Sequence, residues 1–416
     1  MLNRVIAGRY QIKSKLGAGS FGEIYVADDL KTLKEVAVKI ELPKDQSYQL
    51  TSESKIYSIL EGETNIPEMY WYGQLGKSNA LVMELLGQSI QDRFIQCNRR
   101  FSLKTVLMLA EQMLSVVEYV HSRHFVHRDI KPNNFVFGNP LNHKENQIYL
   151  IDFGLSRKYR DPKTLEHEQY CYYQELSGTA RYASINALRG VEQSRRDDME
   201  SLGYIFVYFL KGYLPWMGIT ENDSNHKNAA ILQKKQCITV DELCEGLPHE
   251  FAQYLKEVRK LKFSEEPKYS AYRQLFRDLF IKQGYVYDYH YDWSYLIIQS
   301  NSSIQNKKRT LRCAKSAHNL PLIEIKNPNG NNENETNNNN NTSRKIPIIH
   351  NKRLVPDYDT NKRNLQNTNS KSKQAKRQQN QQQGQTRQQQ YQQQPLQFLS
   401  PISKALSKVI IHPNIH

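Results

Sequence analysis

The stretch HRDIKPNN at residues 127–134 constrains this chain more than any other feature. It is followed by an apolar run at 135–137, a loop, a second apolar run at 148–151, and then DFG at 152–154. Moving a phosphoryl group asks for little covalent chemistry from a protein. It needs an acceptor for a hydroxyl proton, oxygen ligands for a divalent cation, and positive charge near the phosphates. Asp129 suits the first task. Asn134, five residues on, offers a carbonyl oxygen to the cation, and Asp152 offers a second ligand. Lys131, two residues after the base, can offset charge that grows on the moving group. An HRD triplet alone would be weak. Three coincidental loop fragments, however, would have to reproduce several fixed spacings at once.

Upstream, residues 10–28 alternate like two strands around Leu16, Gly17, Ala18, Gly19, Ser20, Phe21, Gly22, Glu23 and Ile24. Three glycines there let a hairpin lie close over a triphosphate, where a β-carbon would obstruct it. Rossmann folds and plain hairpins share this spacing, but a strand rather than a helix follows, which disfavours a dinucleotide site. VAVK at 36–39 reads as a strand whose Lys39 would meet the phosphates. A helical segment at 47–60 carries Glu53, placed to fix that ammonium. A strand at 80–84 runs into Leu85, Leu86 and Gly87, a hinge whose backbone would hydrogen-bond adenine. Glu84 and Leu86 sit at that edge. Met83 guards the rear of the pocket, a position that also suits a plain core residue.

Amphipathic helices are expected near 89–97 and 103–122. In the second, Val106, Leu109, Met113, Val116, Val117 and Val120 recur at helical spacing and read as core. Asp198 is expected at the start of a buried helix over 198–210, accepting hydrogen bonds from the HRD loop. Helices over 250–260 and 272–281 follow, and the folded part should end near 293–296.

SGTARYASINALRGVEQSRRDDMESLGYIFVYFLKGYLPW at 177–216 resembles the casein kinase 1 family. So do ESKIY at 53–57, VMELLG at 82–87 and QGYVYDYHYDW at 283–293. The family's Ser-Ile-Asn stands at Ser184, Ile185 and Asn186, where most protein kinases carry Ala-Pro-Glu. Over roughly residues 5–297 the resemblance implies an α+β, bilobal protein kinase fold. A small antiparallel β lobe with one helix would occupy 1–84 and a larger helical lobe 85–298. It implies transfer of the γ-phosphate of ATP, with Mg2+ or Mn2+, to serine or threonine of protein substrates. The family prefers a phosphorylated or acidic residue three positions before the target hydroxyl. Arg181, Gly218 and Lys227 match its phosphate-binding positions, and an arginine suits bidentate pairing with phosphate. Two departures bear on this. Gln174 stands where the family usually has lysine, and ENDSNHK at 221–227 puts acid where the family has base. The expectation is a weaker preference for primed or acidic substrates. Asn133 replaces a usual aspartate and should be tolerated. Ser177 and Thr179 are phosphosites or, as the better reading, plain loop hydroxyls. The alternative to an enzyme is a silent kinase fold used as a scaffold. Such chains usually lose the lysine, the base or a metal ligand, and all three stand here.

Charge divides the chain. Residues 1–300 carry 38 Lys and Arg against 37 Asp and Glu, and residues 301–416 carry 19 against 5, so +14 of the net +15 belongs to the tail. Net charge therefore does not make the folded part a nucleic-acid binder. Cys97, Cys171, Cys237, Cys244 and Cys313 show no metal-like spacing and suit reduced thiols. MLNRVIAGRY lacks the apolar core of a secretory signal, the apolar run near 202–210 is too short to span a bilayer, and the final NIH is no prenylation box. A soluble protein, cytoplasmic or nuclear or both, is expected.

From 299 to 416 the chain turns polar. NGNNENETNNNNNT at 329–342 and the glutamine-rich run at 378–397 bury too little apolar surface to offset ordering entropy, so 300–395 reads as disordered. Basic clusters at 307–309 and 371–377 suit nuclear import, RNA, an anionic membrane, or mere solubility. Residues 400–411 suit a short docking helix, for this chain or a partner. Ser400 would cap it and Ile402, Leu406, Val409 and Ile410 would share a face; a frayed end is the alternative. Phosphorylation of Ser400 would prime Ser403.

Overall fold

The computed structural model describes residues 2–19, 22–41, 49–63, 65–172, 175–221 and 223–294, all within one unit, Met1–Ile323. The expectations placed on Ser20, Phe21, Gln174, Cys313 and the tail helix at 400–411 lie outside the described residues.

The first part is strand-rich: β1 (Val5–Ile6), β2 (Tyr10–Gly19), β3 (Gly22–Asp29), β4 (Glu35–Glu41), α1 (Gln49–Leu60), β5 (Met69–Leu75) and β6 (Ser78–Glu84). Its strands form one antiparallel sheet in the order β1-β2-β3-β4-β6-β5. The period of two sorts the side chains. Tyr25, Ala27, Val36, Val38, Ile40, Ala80 and Val82 share one core. Gly22, Ile24, Ala37, Lys39 and Met83 are thereby left to the other face, where a cleft opens. Strand β5 has no counterpart in the sequence reading. It lies at the sheet edge with mostly half-buried residues, so no clean alternation marks it.

The second part is largely helical: α2 (Ile90–Gln96), α3 (Leu103–Ser122), β7 (Phe125–Val126), β8 (Phe135–Phe137), β9 (Ile148–Leu150), β10 (Arg157–Lys158), α4 (Ile185–Leu188), α5 (Arg195–Lys211), α6 (Ser224–Cys237), α7 (Val240–Leu243), α8 (His249–Lys260) and α9 (Tyr269–Lys282). The two parts match the α+β expectation of a strand-rich N-terminal region and a helical C-terminal one. β8 pairs antiparallel with β9, and β7 with β10, so each end of the HRD–DFG segment is pinned by a short hairpin or bridge.

Helix α3 is buried more widely than an amphipathic stripe. Leu107, Met108, Ala110 and Leu114 are enclosed as well, because α5, α9 and β9 all pack on it. Helix α5 starts three residues before the expected point. The Asp197 carboxylate accepts the Ser194 N–H at 2.7 Å and the Ser184 hydroxyl at 2.5 Å, which leaves Asp198 inside the first turn. Helix α6 was not foreseen, since Ile231 and Lys235 are its buried residues and make no apolar stripe. Asp223 caps it, accepting from the backbone of Asn225 and His226.

The large core runs from Leu50, Ile56, Tyr57 and Leu60 of α1 through α3 and α5 to Tyr291 and Trp293, whose rings stack at 4.5 Å. Helix α1 thus belongs physically to the helical part's core, and this ties its carboxylate to the lower wall of the cleft. Among the described residues no helix is long and apolar enough to cross a membrane. Cys97, Cys171, Cys237 and Cys244 are free thiols.

Candidate active site

A cleft of about 660 Å³ lies between the sheet and the HRD–DFG segment. Leu16, Gly17, Ala18, Gly22 and Ile24 line it from the β2–β3 hairpin, Ala37, Lys39 and Met83 from the sheet, and Glu53 from α1. Lys131, Asn134 and Asp152 line it from below.

The glycines of the hairpin serve different needs. A β-carbon on Gly22 would lie 2.3 Å from the Ile40 carbonyl oxygen, so Gly22 is fixed by packing on β4. Gly17 has nothing within 4 Å of that position and leaves its side of the hairpin open. Both glycines line the cleft, and at Gly22 packing on β4 is a further reason for the residue type. Glu23 turns away from the cleft, its carboxylate held by Lys15 and Tyr25 at 2.5 Å each. The Glu84 carboxylate is likewise taken by Lys144 at 3.0 Å. Any nucleotide contact from Glu23 or Glu84 is left to the backbone. Leu86 is half-buried just beyond β6, one residue before Gly87, whose N–H donates to Phe137.

Lys39 Nζ lies 2.7 Å from Glu53 Oε2 and 2.8 Å from Asp152 Oδ1. Burial works against its ammonium, but the charges of Glu53 and Asp152 outweigh burial and raise its pKa. Burial pushes the Glu53 carboxyl upward against the pull of Lys39. Asp152 is also opposed by burial, yet Lys39 holds its pKa below the ordinary value. Phe153 fits edge-on to Tyr57 at 5.1 Å and lies 5.2 Å from the His127 ring. The Asp152 N–H donates to Tyr57 Oη at 3.1 Å, and Gln49 Nε2 donates to the Gly154 carbonyl at 2.9 Å. These contacts hold a left-handed Asp152, φ +67°, which an unsupported aspartate would adopt at some cost. Tyr57 stands one helical turn after Glu53, and that spacing was the available signal for its role.

Asp129 is 5 % exposed, bracketed by Lys131 Nζ at 2.5 Å and the Thr179 hydroxyl at 2.7 Å. Thr179 is therefore more than a loop hydroxyl. Asn134 donates its amide to the Asp129 carbonyl at 2.9 Å, leaving its own oxygen as a ligand. Below the loop, Asp198 accepts the N–H groups of His127 at 2.7 Å and Arg128 at 2.9 Å, and contacts His121 Nε2 at 3.0 Å. This is the support that the sequence assigned to Asp198. The Arg128 guanidinium reaches Glu192 at 3.4 Å and the Ser177 hydroxyl at 3.3 Å, and Arg157 reaches the other oxygen of Glu192 at 3.1 Å. Glu192, distant in sequence, was not anticipated.

Among the described residues no cluster of three or more His, Cys, Asp or Glu is set to hold a metal. The free oxygens of Asn134 and Asp152 are hard donors that suit a cation completed by phosphate and water, as Mg2+ prefers. Of the residues expected to read a substrate phosphate, Arg181 and Lys227 are exposed, Gly218 is exposed at φ +83°, and the Arg181 carbonyl accepts Trp216 Nε1–H at 2.7 Å.

The sequence model described as the protein kinase domain matches residues 10–275, a span that begins with β2 and ends inside α9. The chain belongs to the protein kinase family. It is a phosphotransferase acting on proteins, with ATP and a divalent metal as the usual partners of such a domain.

Proposed function

We propose that this protein kinase is a serine/threonine kinase of the casein kinase 1 type. The observation that carries the reading is the bracketing of Asp129 by Lys131 and Thr179, directly beside the turn that bears Arg181. A buried carboxylate held at both oxygens is oriented to accept a proton from a short acceptor hydroxyl brought to that turn. Lys131, already beside Asp129, can offset charge on the moving phosphoryl group. Lys39, fixed by Glu53 and Asp152, holds the nucleotide phosphates, and Leu16, Ile24, Ala37 and Met83 give the base an apolar slot. Asn134 and Asp152 would hold Mg2+, which supplies charge neutralisation at the phosphates.

The substrate preference proposed is modest selectivity for a phosphorylated or acidic residue three positions upstream, read by Arg181, Gly218 and Lys227. Glu221 and Asp223 precede Lys227 in the sequence, and Asp223 accepts the Lys227 N–H through its carbonyl at 3.0 Å. Part of the Asp223 charge is absorbed in capping α6, which weakens the acid's effect without removing it.

The test is a peptide panel with Ser, Thr or Tyr acceptors, each with phosphoserine, Glu or Ala three residues upstream. Transfer to Ser and Thr but not Tyr is expected. A full charge-assisted pair is worth about 1.5–3 kcal/mol, so undiminished reading would give roughly ten- to hundredfold preference for the primed peptide. A preference below tenfold is expected here, and absolute dependence on the phosphate would refute that part. Asp129→Asn should lower turnover by roughly 10²–10⁴-fold, the range for a lost general base. Transfer to tyrosine alone would refute the serine/threonine assignment.

A further inference from the structure

Lys235 is the one lysine among the described residues with 0 % exposure, and no step above uses it. An ammonium is costly to bury unless its donors are met. On α6 an apolar residue would serve for packing, as Ile231 does one turn earlier. The lysine's surroundings explain its type. Its Nζ donates to the Ala183 carbonyl at 2.5 Å and to the Ala180 carbonyl at 3.2 Å. It also lies 4.5 Å from the Tyr204 ring centroid and 4.7 Å from that of Trp216, distances suited to cation–π attraction.

The carbonyls it takes belong to one small structure. The Tyr182 and Ala183 N–H groups both bond the Thr179 carbonyl at 3.0 Å, closing a turn over 179–183. Its outward carbonyls, at Ala180, Arg181 and Ala183, are met by Lys235, Trp216 and Lys235 respectively. On its inner side the Thr179 hydroxyl bonds Asp129 at 2.7 Å. The turn is thus fastened to the base at one end and to α6 at the other.

We infer that Lys235 is a positioning residue for the protein substrate: it anchors the 179–183 turn to α6, so that Arg181, Lys227 and Asp129 keep a fixed mutual register. The inference rests on the reading of that turn as the place where the acceptor peptide lies. Burial lowers the pKa of Lys235 to about 7, with Glu200 pulling upward and Arg259 adding to the decrease. The carbonyls and ring faces work to keep the nitrogen's donors engaged.

The experiment compares Lys235→Met, which keeps an apolar stem and removes the donors, with Lys235→Arg and with Trp216→Phe, which removes the bond to the Arg181 carbonyl and shrinks the ring face that Lys235 meets. Steady-state kinetics resolve KM for peptide from KM for ATP. Lys235→Met should lower kcat/KM for peptide at least about tenfold, consistent with losing both of its hydrogen bonds to the turn. KM for ATP should stay within about twofold, because Lys235 does not line the nucleotide cleft and Lys39, Glu53 and Asp152 keep their own contacts. Lys235→Arg should restore part of the loss, and Trp216→Phe should shift the peptide side in the same direction. Hydrogen exchange on the substrate-free protein gives a second readout: amides of 179–183 should exchange faster in Lys235→Met while those of α3 do not. Equal losses on the peptide and ATP sides, or unchanged exchange at 179–183, would overturn the inference. Faster local exchange in an enzyme whose wild type ignores every Ser and Thr peptide would instead sink the proposed function and leave the anchor standing.

Discussion

Replacing Asp198 with asparagine tests how the base is held, and its size can be worked from the geometry. The carboxylate serves three neighbours: the Arg128 N–H at Oδ1, and the His127 N–H and His121 at Oδ2. An amide keeps one oxygen for Arg128. Its NH₂ group can donate to His121, whose other nitrogen lies 2.7 Å from the Tyr269 hydroxyl and so allows a change of tautomer. The His127 N–H cannot be rescued, because it would face a donor. The loss is one bond to a charged acceptor, about 1.5–3 kcal/mol, plus a buried N–H left unmet, about 1–3 kcal/mol. A total near 3–5 kcal/mol corresponds to roughly 10²–10⁴ in the population of the aligned loop at about 1.4 kcal/mol per decade. Turnover on a saturating Ser peptide should fall at least about thirtyfold even if part of the deficit appears as global instability. Affinity for a non-hydrolysable ATP analogue should stay within about threefold, since Lys39, Glu53 and Asp152 do not touch Asp198. Turnover within twofold of wild type, with an unchanged melting temperature, would refute the account of Asp198 as the loop's support.

Gly178→Ala should disable the enzyme: at φ +102° the new β-carbon would lie 2.3 Å from the Arg128 carbonyl oxygen, so the base loop or the 179–183 turn must shift. Peptide kinetics and a melting curve check it, and an active, equally stable variant would contradict the placement of that turn. Stability should also fall as pH drops from about 7 towards 5, because burial lowers the pKa of His121 below its unfolded value of about 6.5 and the unfolded chain takes up the proton first. A second fall should follow below about pH 4, where Asp198, opposed by burial but held low by His121, must be protonated. His121→Gln should flatten the upper window in a Tm-against-pH series; an unchanged slope there would count against His121.

Much of this was legible in advance because local patterns decided it. Alternation in β3, β4 and β6 assigns Ile24, Lys39 and Met83 to one face, and fixed spacings name Asp129, Asn134 and Asp152. Edge strand β5 and helix α6 were not legible, since neither carries an apolar period of its own. Helix α6 is recruited by a single isoleucine, a buried lysine and an aspartate cap, none of which marks a helix by composition.

Linear order sufficed to specify which groups could do phosphoryl chemistry, because their types and intervals are properties of the chain itself. Tertiary structure alone decided which partners restrain them. Tyr57 at Asp152, Thr179 at Asp129, Glu192 between two arginines and Lys235 under the 179–183 turn come from segments far apart in the chain. Their contacts are fixed by where α1, α5 and α6 pack, and packing depends on the whole core rather than on any one stretch.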